Sequence, residues 1–203
     1  MTTEPRRERL KTRILAAAER IVRDEGLAAL QARRVAKAAD CAIGTVYNVF
    51  GDIDDLIIAV NSRTLADLGG GLEAALARSA AGSLEVRLMA LAGAYLDFAI
   101  ANGRRWRAVF EHTLPEQKAR PASFVADRTR LLALLEHQLA TLLPDPAART
   151  DAARALYASV HGIVQLSLDG RLGAVGPSDC ERQIRLLVGL VLRGLEEVSR
   201  KRD

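Results

Sequence analysis

Residues 27–60 read LAALQARRVAKAADCAIGTVYNVFGDIDDLIIAV, and this stretch decides the fold. Its apolar residues recur at three- and four-residue spacing, which predicts two short amphipathic helices joined by a tight turn and followed by a third helix. The second short helix, 42–50, carries small and polar side chains on one face (Gly44, Thr45, Asn48) and apolar side chains on the other. Small side chains let a helix lie close to a partner surface, and the DNA major groove accepts one helix. The spacing therefore predicts a helix-turn-helix that reads DNA.

The composition is typical of a globular chain. The 203 residues are 49% hydrophobic and 27% charged, which suffices for one domain or two small ones. No apolar run reaches the roughly 18 residues that a membrane-spanning helix needs, and no secretory signal is apparent. The two cysteines, Cys41 and Cys180, form neither a metal-binding spacing nor a disulfide framework. We expect a cytoplasmic protein with no metal, no cofactor and no membrane partner.

Positive charge is concentrated in the N-terminal quarter of the chain. Residues 1–50 contain ten Lys and Arg against six Asp and Glu, whereas residues 51–203 contain 19 of each. The whole excess of +4 thus lies in the segment that holds the helix-turn-helix. Binding a polyphosphate is largely electrostatic, so this distribution favours nucleic acid as a partner. The alternative is that the basic residues of 6–13, four arginines and Lys11, form an ordinary solvated helix start.

The pattern is helical throughout and contains no convincing strand, so the predicted fold is all-α with about nine helices. Turn residues and apolar periodicity place these helices at 5–25, 31–38, 42–50, from 53 onward, 83–101, 104–113, 122–142, 147–168 and 178–200. The predicted organisation is a helix-turn-helix head (1–51), a connecting helix (52–82) and a helical body for ligand binding and dimerisation (83–203).

Three consecutive glycines, Gly69–Gly71, interrupt the periodic pattern of the fourth helix. A helix that continued through them would lose roughly 1 kcal/mol per glycine relative to alanine. We therefore expect a kink or a frayed turn that could act as a hinge. A simple loop between two helices is the alternative.

Several motifs resemble the signature of TetR-type transcriptional regulators. The resemblance is strongest over residues 9–60, where GTVYNVF (44–50) is followed by an acidic helix start, and it continues more loosely through 95–114. Residues 155–168, ALYASVHGIVQLSL, are similar to a C-terminal subgroup marked by a Trp-His-Gly-like stretch, with Tyr157, His161 and Gly162 in that stretch.

The resemblance implies an all-α homodimer that binds a palindromic operator, in most members as a repressor released by a small-molecule effector. It assigns DNA binding to Arg33, Arg34, Ala42, Ile43, Gly44, Thr45, Tyr47 and Asn48. The chemistry of two of these residues agrees, because Asn48 can pair with adenine and the Thr45 methyl can meet a thymine methyl.

Three positions depart from the family pattern. The turn reads Asp40-Cys41-Ala42, in which Ala42 cannot cap a helix as serine does. Gln31 precedes Ala32 where Thr or Ser is usual, and the helix-four start at residues 52–55 lacks the usual phosphate-binding lysine. We therefore expect modest DNA affinity with a steep salt dependence.

Residues of the body are candidates for two sites. Aromatic and imidazole side chains would line either a ligand pocket or a dry core; they are Tyr95, Phe98, Trp106, Phe110, Phe124 and His161. The apolar faces of the last two helices would form a four-helix dimer interface or be satisfied within one subunit. The interface candidates are Leu156, Val160, Ile163, Ile184, Leu187 and Val191.

The sequence contains no catalytic constellation, so we expect no enzyme. Two alternatives to the ligand-responsive repressor stay open. One is a regulator of the same fold that responds to a partner protein or to oxidation of Cys41, although a buried thiol is the simpler interpretation of that residue. The other is an all-α small-molecule-binding protein that has lost DNA binding.

Overall fold

The computed structural model describes residues 3–119, 121–171 and 176–200. Within these ranges the chain forms nine α-helices, one 3-10 turn and no strand, which confirms the predicted all-α fold. The helices are α1 Thr3–Glu25, α2 Ala32–Ala38, α3 Ile43–Phe50, α4 Ile53–Arg78, α5 Leu84–Ala101, α6 Gly103–Glu111, α7 Ala122–Leu139, α8 Pro146–Leu168 and α9 Pro177–Arg200. None of the described helices is long and apolar enough to span a membrane.

The described residues fall into two compact units. The head unit contains those within Met1–Asp67 and Asn102–Asp127, and the body unit contains those within Leu68–Ala101 and Arg128–Asp203. The head unit therefore includes α6 and the segment that follows it, in addition to the helix-turn-helix. The domain boundaries expected from the sequence stay predictions.

The core of the head unit is built from small and branched side chains of five helices. Residues of α1, α2, α3 and α4 meet there with Ala108 of α6. Asn61, which is 1% exposed, donates a hydrogen bond from Nδ2 to the carbonyl of Ala108 over 3.1 Å and ties α4 to α6. Ala17, Ala18 and Ala36 are almost fully buried, so the helices pack with little space between their backbones.

Helix ends follow the local sequence. Gly26 ends α1 and Gly51 ends α3, each with a positive φ that glycine adopts without strain (89° and 79°). Asp52 caps α4, because its Oδ1 accepts the backbone N–H of Asp55 over 2.9 Å. Ser83 caps α5 in the same way, accepting the N–H of Val86 over 3.3 Å. These caps agree with the predicted helix starts.

A loop or a frayed turn at Gly69–Gly71 is wrong, because α4 runs through the three glycines as helix. A kink that acts as a hinge stays a prediction. Leu68 and Leu72 on either side are 5% and 7% exposed, so burial of apolar side chains outweighs the poor helix propensity of glycine. Gly69 has a packing role as well, since a Cβ there would lie 3.1 Å from Cδ2 of Leu131 on α7.

The body unit is organised around α5, α8 and α9, which pack against one another. Its interior is apolar, and the most buried described side chains of α9 are Cys180, Ile184 and Val188, each 1% exposed. Val164 of α8 is fully buried. Arg87 of α5 donates from Nε to Oε1 of Gln138 on α7 over 2.8 Å, which anchors α7 at the edge of this core.

Candidate nucleic-acid interface

The turn between α2 and α3 has a defined backbone geometry. Asp40 has a φ of 49°, the one positive φ at a non-glycine among the described residues, as expected for a short polar side chain in a tight turn. The N–H of Cys41 donates to the carbonyl of Ala36 over 3.0 Å. Ala42 occupies the N-cap position of α3 in an extended conformation, with no hydrogen bond from its side chain. The turn thus holds α3 at a fixed angle to α2 without a serine cap.

Helix α3 has one buried and one exposed face. Val46 and Phe50 are 1% and 9% exposed and pack into the head core. On the opposite face, Ile43 and Tyr47 are 42% and 44% exposed, although both are large and apolar. Gly44 and Asn48 are exposed too, whereas Thr45 is half-buried. An exposed face that carries such residues has the character of a contact surface.

Packing within the described chain does not require a glycine at Gly44. A Cβ at this position would meet nothing within 4 Å, and the backbone there is ordinary helix. Alanine would therefore fit, and would favour the helix. The glycine leaves the α3 backbone open to close approach by a partner surface.

The two predicted arginines of α2 differ in their surroundings. Arg34 is held by an ion pair with Glu25 and by a hydrogen bond from Nη1 to the carbonyl of Ala29 over 3.4 Å. Arg33 is exposed and has no ion pair in the part of the chain that the structure describes. Of the two, Arg33 is the guanidinium that can reach a phosphate without breaking an internal contact.

A lysine that sequence reasoning missed lies at the start of α4. Nζ of Lys118 is 2.6 Å from both Oδ1 and Oδ2 of Asp52 and 2.7 Å from Oδ1 of Asp55. The hydrogen bond from Lys118 lowers the pKa of Asp52, and the backbone N–H of Asp55 adds to the effect. In the sequence, the three carboxylates of residues 52–55 have no basic neighbour, which indicates that a cation from elsewhere in the chain contacts them. The sequence does not indicate which basic residue this is.

The head unit contains a second such contact. Nε2 of His112, which follows α6, lies 3.4 Å from Oδ1 of Asp54. Residues 112–118 thus contribute two basic side chains to the three carboxylates of the first turn of α4.

Of the six predicted pocket residues, the structure brings Tyr95 and His161 together in the body unit. The Tyr95 hydroxyl lies 2.7 Å from Nδ1 of His161, and the Tyr157 ring stacks on His161 with centroids 5.8 Å apart. Burial lowers the pKa of His161, and a neutral imidazole can accept the Tyr95 proton. Phe98 is a half-buried residue of α5 in the same unit.

The other three predicted pocket residues belong to the head unit. Trp106 is 1% exposed and packs edge-on against Phe110 with centroids 5.4 Å apart. Phe124 is 4% exposed. A pocket lined by all six residues stays a prediction.

The predicted dimer residues are largely used within the subunit. Leu156, Val160 and Ile184 are 4%, 8% and 1% exposed, which agrees with the alternative that these faces are satisfied internally. Ile163, Leu187 and Val191 are half-buried. Among the described side chains of α8 and α9, the large apolar ones that are exposed are Tyr157, Leu166, Leu186 and Leu190.

The cysteines have different surroundings. Cys41 is half-buried and packs against the head core, which fits a structural thiol. Cys180 is 1% exposed, and its burial raises the pKa of the thiol. A redox role for Cys41 stays a prediction.

Two protein families match this chain. Residues 14–60 match the family described as bacterial regulatory proteins, tetR family. Residues 88–191, more than half of the chain, match the family described as tetracyclin repressor-like, C-terminal domain. The Trp-His-Gly-like subgroup stays a prediction, and no curated protein sequence is significantly similar.

Solved structures with the same fold are similar over nearly the whole chain. A protein with unknown function from Rhodococcus sp. RHA1 is 23% identical, with a TM-score of 0.75 over 92% of this chain and 95% of that one. A TetR-family transcriptional regulator from Streptomyces coelicolor is 22% identical, with a TM-score of 0.68 over 92% and 99%. The multidrug binding protein EbrR, complexed with imidazole, is 23% identical, with a TM-score of 0.59 over 89% and 93%.

Proposed function

Because the chain belongs to the TetR family of bacterial regulatory proteins, we propose that it is a cytoplasmic transcriptional repressor. As a homodimer it binds a palindromic operator in double-stranded DNA, and a small-molecule effector releases it. The observation that carries this proposal is the solvent-exposed face of α3, where Ile43 and Tyr47 are 42% and 44% exposed beside an unpacked Gly44.

The proposed contacts divide by chemistry. Asn48 and Thr45 read base edges, since an amide pairs with adenine and a methyl group packs on thymine. Tyr47 and Arg33 contact phosphates or the groove wall and so set the register of α3. Gly44 lets the α3 backbone approach the DNA, and Ala42 and Ile43 lie at the entry of the helix into the groove. Arg34, held by Glu25, supports α2 from within the head unit.

A dimer supports DNA recognition by geometry. Two recognition helices about 34–36 Å apart meet successive major grooves on one side of the duplex, which requires an operator with inverted repeats. The exposed apolar residues of α9, Leu186 and Leu190, are 62% and 55% exposed. We place the dimer interface on this face, extended by the half-buried Leu187 and Val191.

The body unit is the proposed effector-binding part of the molecule. Tyr95 and His161 form a polar pair among apolar helices, the arrangement in which a few polar groups orient a ligand. The structural similarity to EbrR, a multidrug binding protein complexed with imidazole, supports a body that accepts small molecules. The effector of this chain has its polar group near the Tyr95 hydroxyl.

The first experiment selects binding sites from a random DNA pool with the purified full-length protein at moderate salt. Tyr47→Ala tests the recognition face, and Val86→Ala, an exposed apolar position on α5, serves as the control. We expect enrichment of an inverted repeat that the Val86 variant binds and the Tyr47 variant does not. Absence of enrichment, at low salt as well, would overturn DNA binding and favour a small-molecule-binding protein without a DNA partner.

A further inference from the structure

The first turn of α4 presents an electrostatic problem for a DNA-binding head. Asp52, Asp54 and Asp55 all lie within five residues of Phe50, the last residue of the recognition helix. Carboxylates are stabilised by the partial positive charge at the N-terminus of a helix, which accounts for the three aspartates at the start of α4. Next to a polyphosphate, however, uncompensated carboxylates repel the partner, and like charges at an interface cost affinity.

Lys118, from a distant part of the chain, supplies a positive charge to two of these carboxylates. It ends a turn closed by its own N–H, which donates to the carbonyl of Pro115 over 2.9 Å. This turn presents the ammonium group to Asp52 and Asp55 at 2.6–2.7 Å, 66 residues away from Asp52 in sequence. The Lys118 side chain is 24% exposed, whereas the side chains of Asp52 and Asp55 are 49% and 38% exposed, so the ammonium group is partly covered while its partners face solvent.

The contacts of Lys118 also constrain the backbone that joins α3 to α4. Asp52 is the N-cap of α4 and directly follows Gly51, the residue at which α3 ends. The Lys118 ammonium bridges the carboxylates of Asp52 and Asp55. It therefore restrains the first turn of α4 directly after the end of the recognition helix α3. Any tilt of α3 relative to α4 must pass through this junction.

We propose that Lys118 is a positioning residue for DNA binding. It acts through Asp52 and Asp55: it holds the α3–α4 junction in the orientation that presents α3, and it neutralises carboxylates that would otherwise repel the operator phosphates. Lys118 itself does not contact DNA. This inference rests on the proposed function, because it concerns the same interface.

A double-mutant cycle on the enriched operator tests the proposal. Lys118→Ala removes the cation, Lys118→Arg keeps it, and Asp52→Asn with Asp55→Asn removes the charges that it compensates, while asparagine preserves the helix cap. We expect Lys118→Ala to raise the Kd roughly tenfold and Lys118→Arg to restore affinity to within about threefold. In the background that carries both Asp52→Asn and Asp55→Asn, Lys118→Ala should change the Kd by less than about twofold, because neither of the carboxylates that Lys118 contacts is left.

The control is Arg130→Ala, which breaks a 2.7 Å ion pair with Glu73 in the body unit and should leave the Kd unchanged. An unchanged Kd for Lys118→Ala would overturn the inference while the proposed function stands. A tenfold loss that persists in the neutralised background would overturn it as well, because Lys118 would then contact DNA directly. A wild-type protein that binds no DNA would overturn the proposed function and the inference with it.

Discussion

Arg13 and Asp40 are joined by a hydrogen bond from Nη2 of the guanidinium to the backbone carbonyl of Asp40, over 3.0 Å. Asp40 holds a left-handed conformation, with a φ of 49°, in the turn of the helix-turn-helix. One side chain of α1 thus anchors the turn that sets the angle between α2 and α3. The bond uses the backbone of Asp40, so it does not depend on the carboxylate.

Arg13→Ala should lower both stability and DNA affinity, since it removes the anchor of the turn. Loss of one charge-assisted hydrogen bond at an exposed site corresponds to about 1 kcal/mol in the free energy of unfolding. Asp40→Gly keeps the carbonyl acceptor and suits a positive φ, so it should change stability by less than about 1 kcal/mol. Urea unfolding measures both variants. Equal stability of Arg13→Ala and wild type would contradict the anchoring role.

Gly44→Ala should separate DNA binding from stability. The new Cβ meets nothing within 4 Å, and alanine favours the helix, so the free energy of unfolding should stay the same or rise by up to about 1 kcal/mol. The methyl group lies on the proposed DNA-facing side and should weaken operator binding. Gly70→Ala on α4, where a Cβ also meets nothing, is the matched control and should bind DNA as wild type does. If Gly44→Ala bound DNA with wild-type affinity, the assignment of this face of α3 to the DNA interface would be wrong.

Stability of the body unit should depend on the protonation of His161. Burial lowers the pKa of this imidazole, so the unfolded chain binds the proton more readily than the folded one. The free energy of unfolding should therefore rise with pH up to the unfolded value of about 6.5, and fall as the pH drops below it. Protonation of Nδ1 would in addition remove the acceptor for Tyr95.

His161→Asn tests this pH dependence, because it removes the titrating group while keeping an acceptor. Unfolding at pH 5.5 and pH 7.5 should show a smaller gain in stability for this variant than for wild type. His137→Asn, at an exposed position on α7, is the matched control and should keep the wild-type pH profile. A wild-type profile in His161→Asn would show that another group carries the dependence.

The proposed dimer should depend on the exposed apolar face of α9. Leu186 and Leu190 are one helical turn apart, so a joint change to glutamate places two charges in the proposed interface. We expect the double variant to be monomeric by light scattering, while Val86→Glu, a 50% exposed control on α5, keeps the wild-type mass. Retention of the dimer by the α9 variant would place the interface elsewhere.

Local patterns in the sequence account for the nine helices and for most of their ends. Gly26, Asp40 and Gly51 adopt the positive φ values that their residue types favour, and Asp52 and Ser83 cap their helices. These features depend on backbone sterics and on contacts within a few residues, which a sequence pattern reveals. The exposed face of α3 follows from the same periodicity.

Tertiary packing decided what the local pattern could not. Burial of Leu68 and Leu72 carried α4 through three glycines, against their propensity. Leu156, Val160 and Ile184 are buried inside the body unit, and their burial determines which other apolar residues of α8 and α9 are exposed. Lys118 met Asp52 across 66 residues of sequence. Such pairings depend on which helices the hydrophobic core brings together. The number of residues between two positions in the sequence does not determine whether they meet.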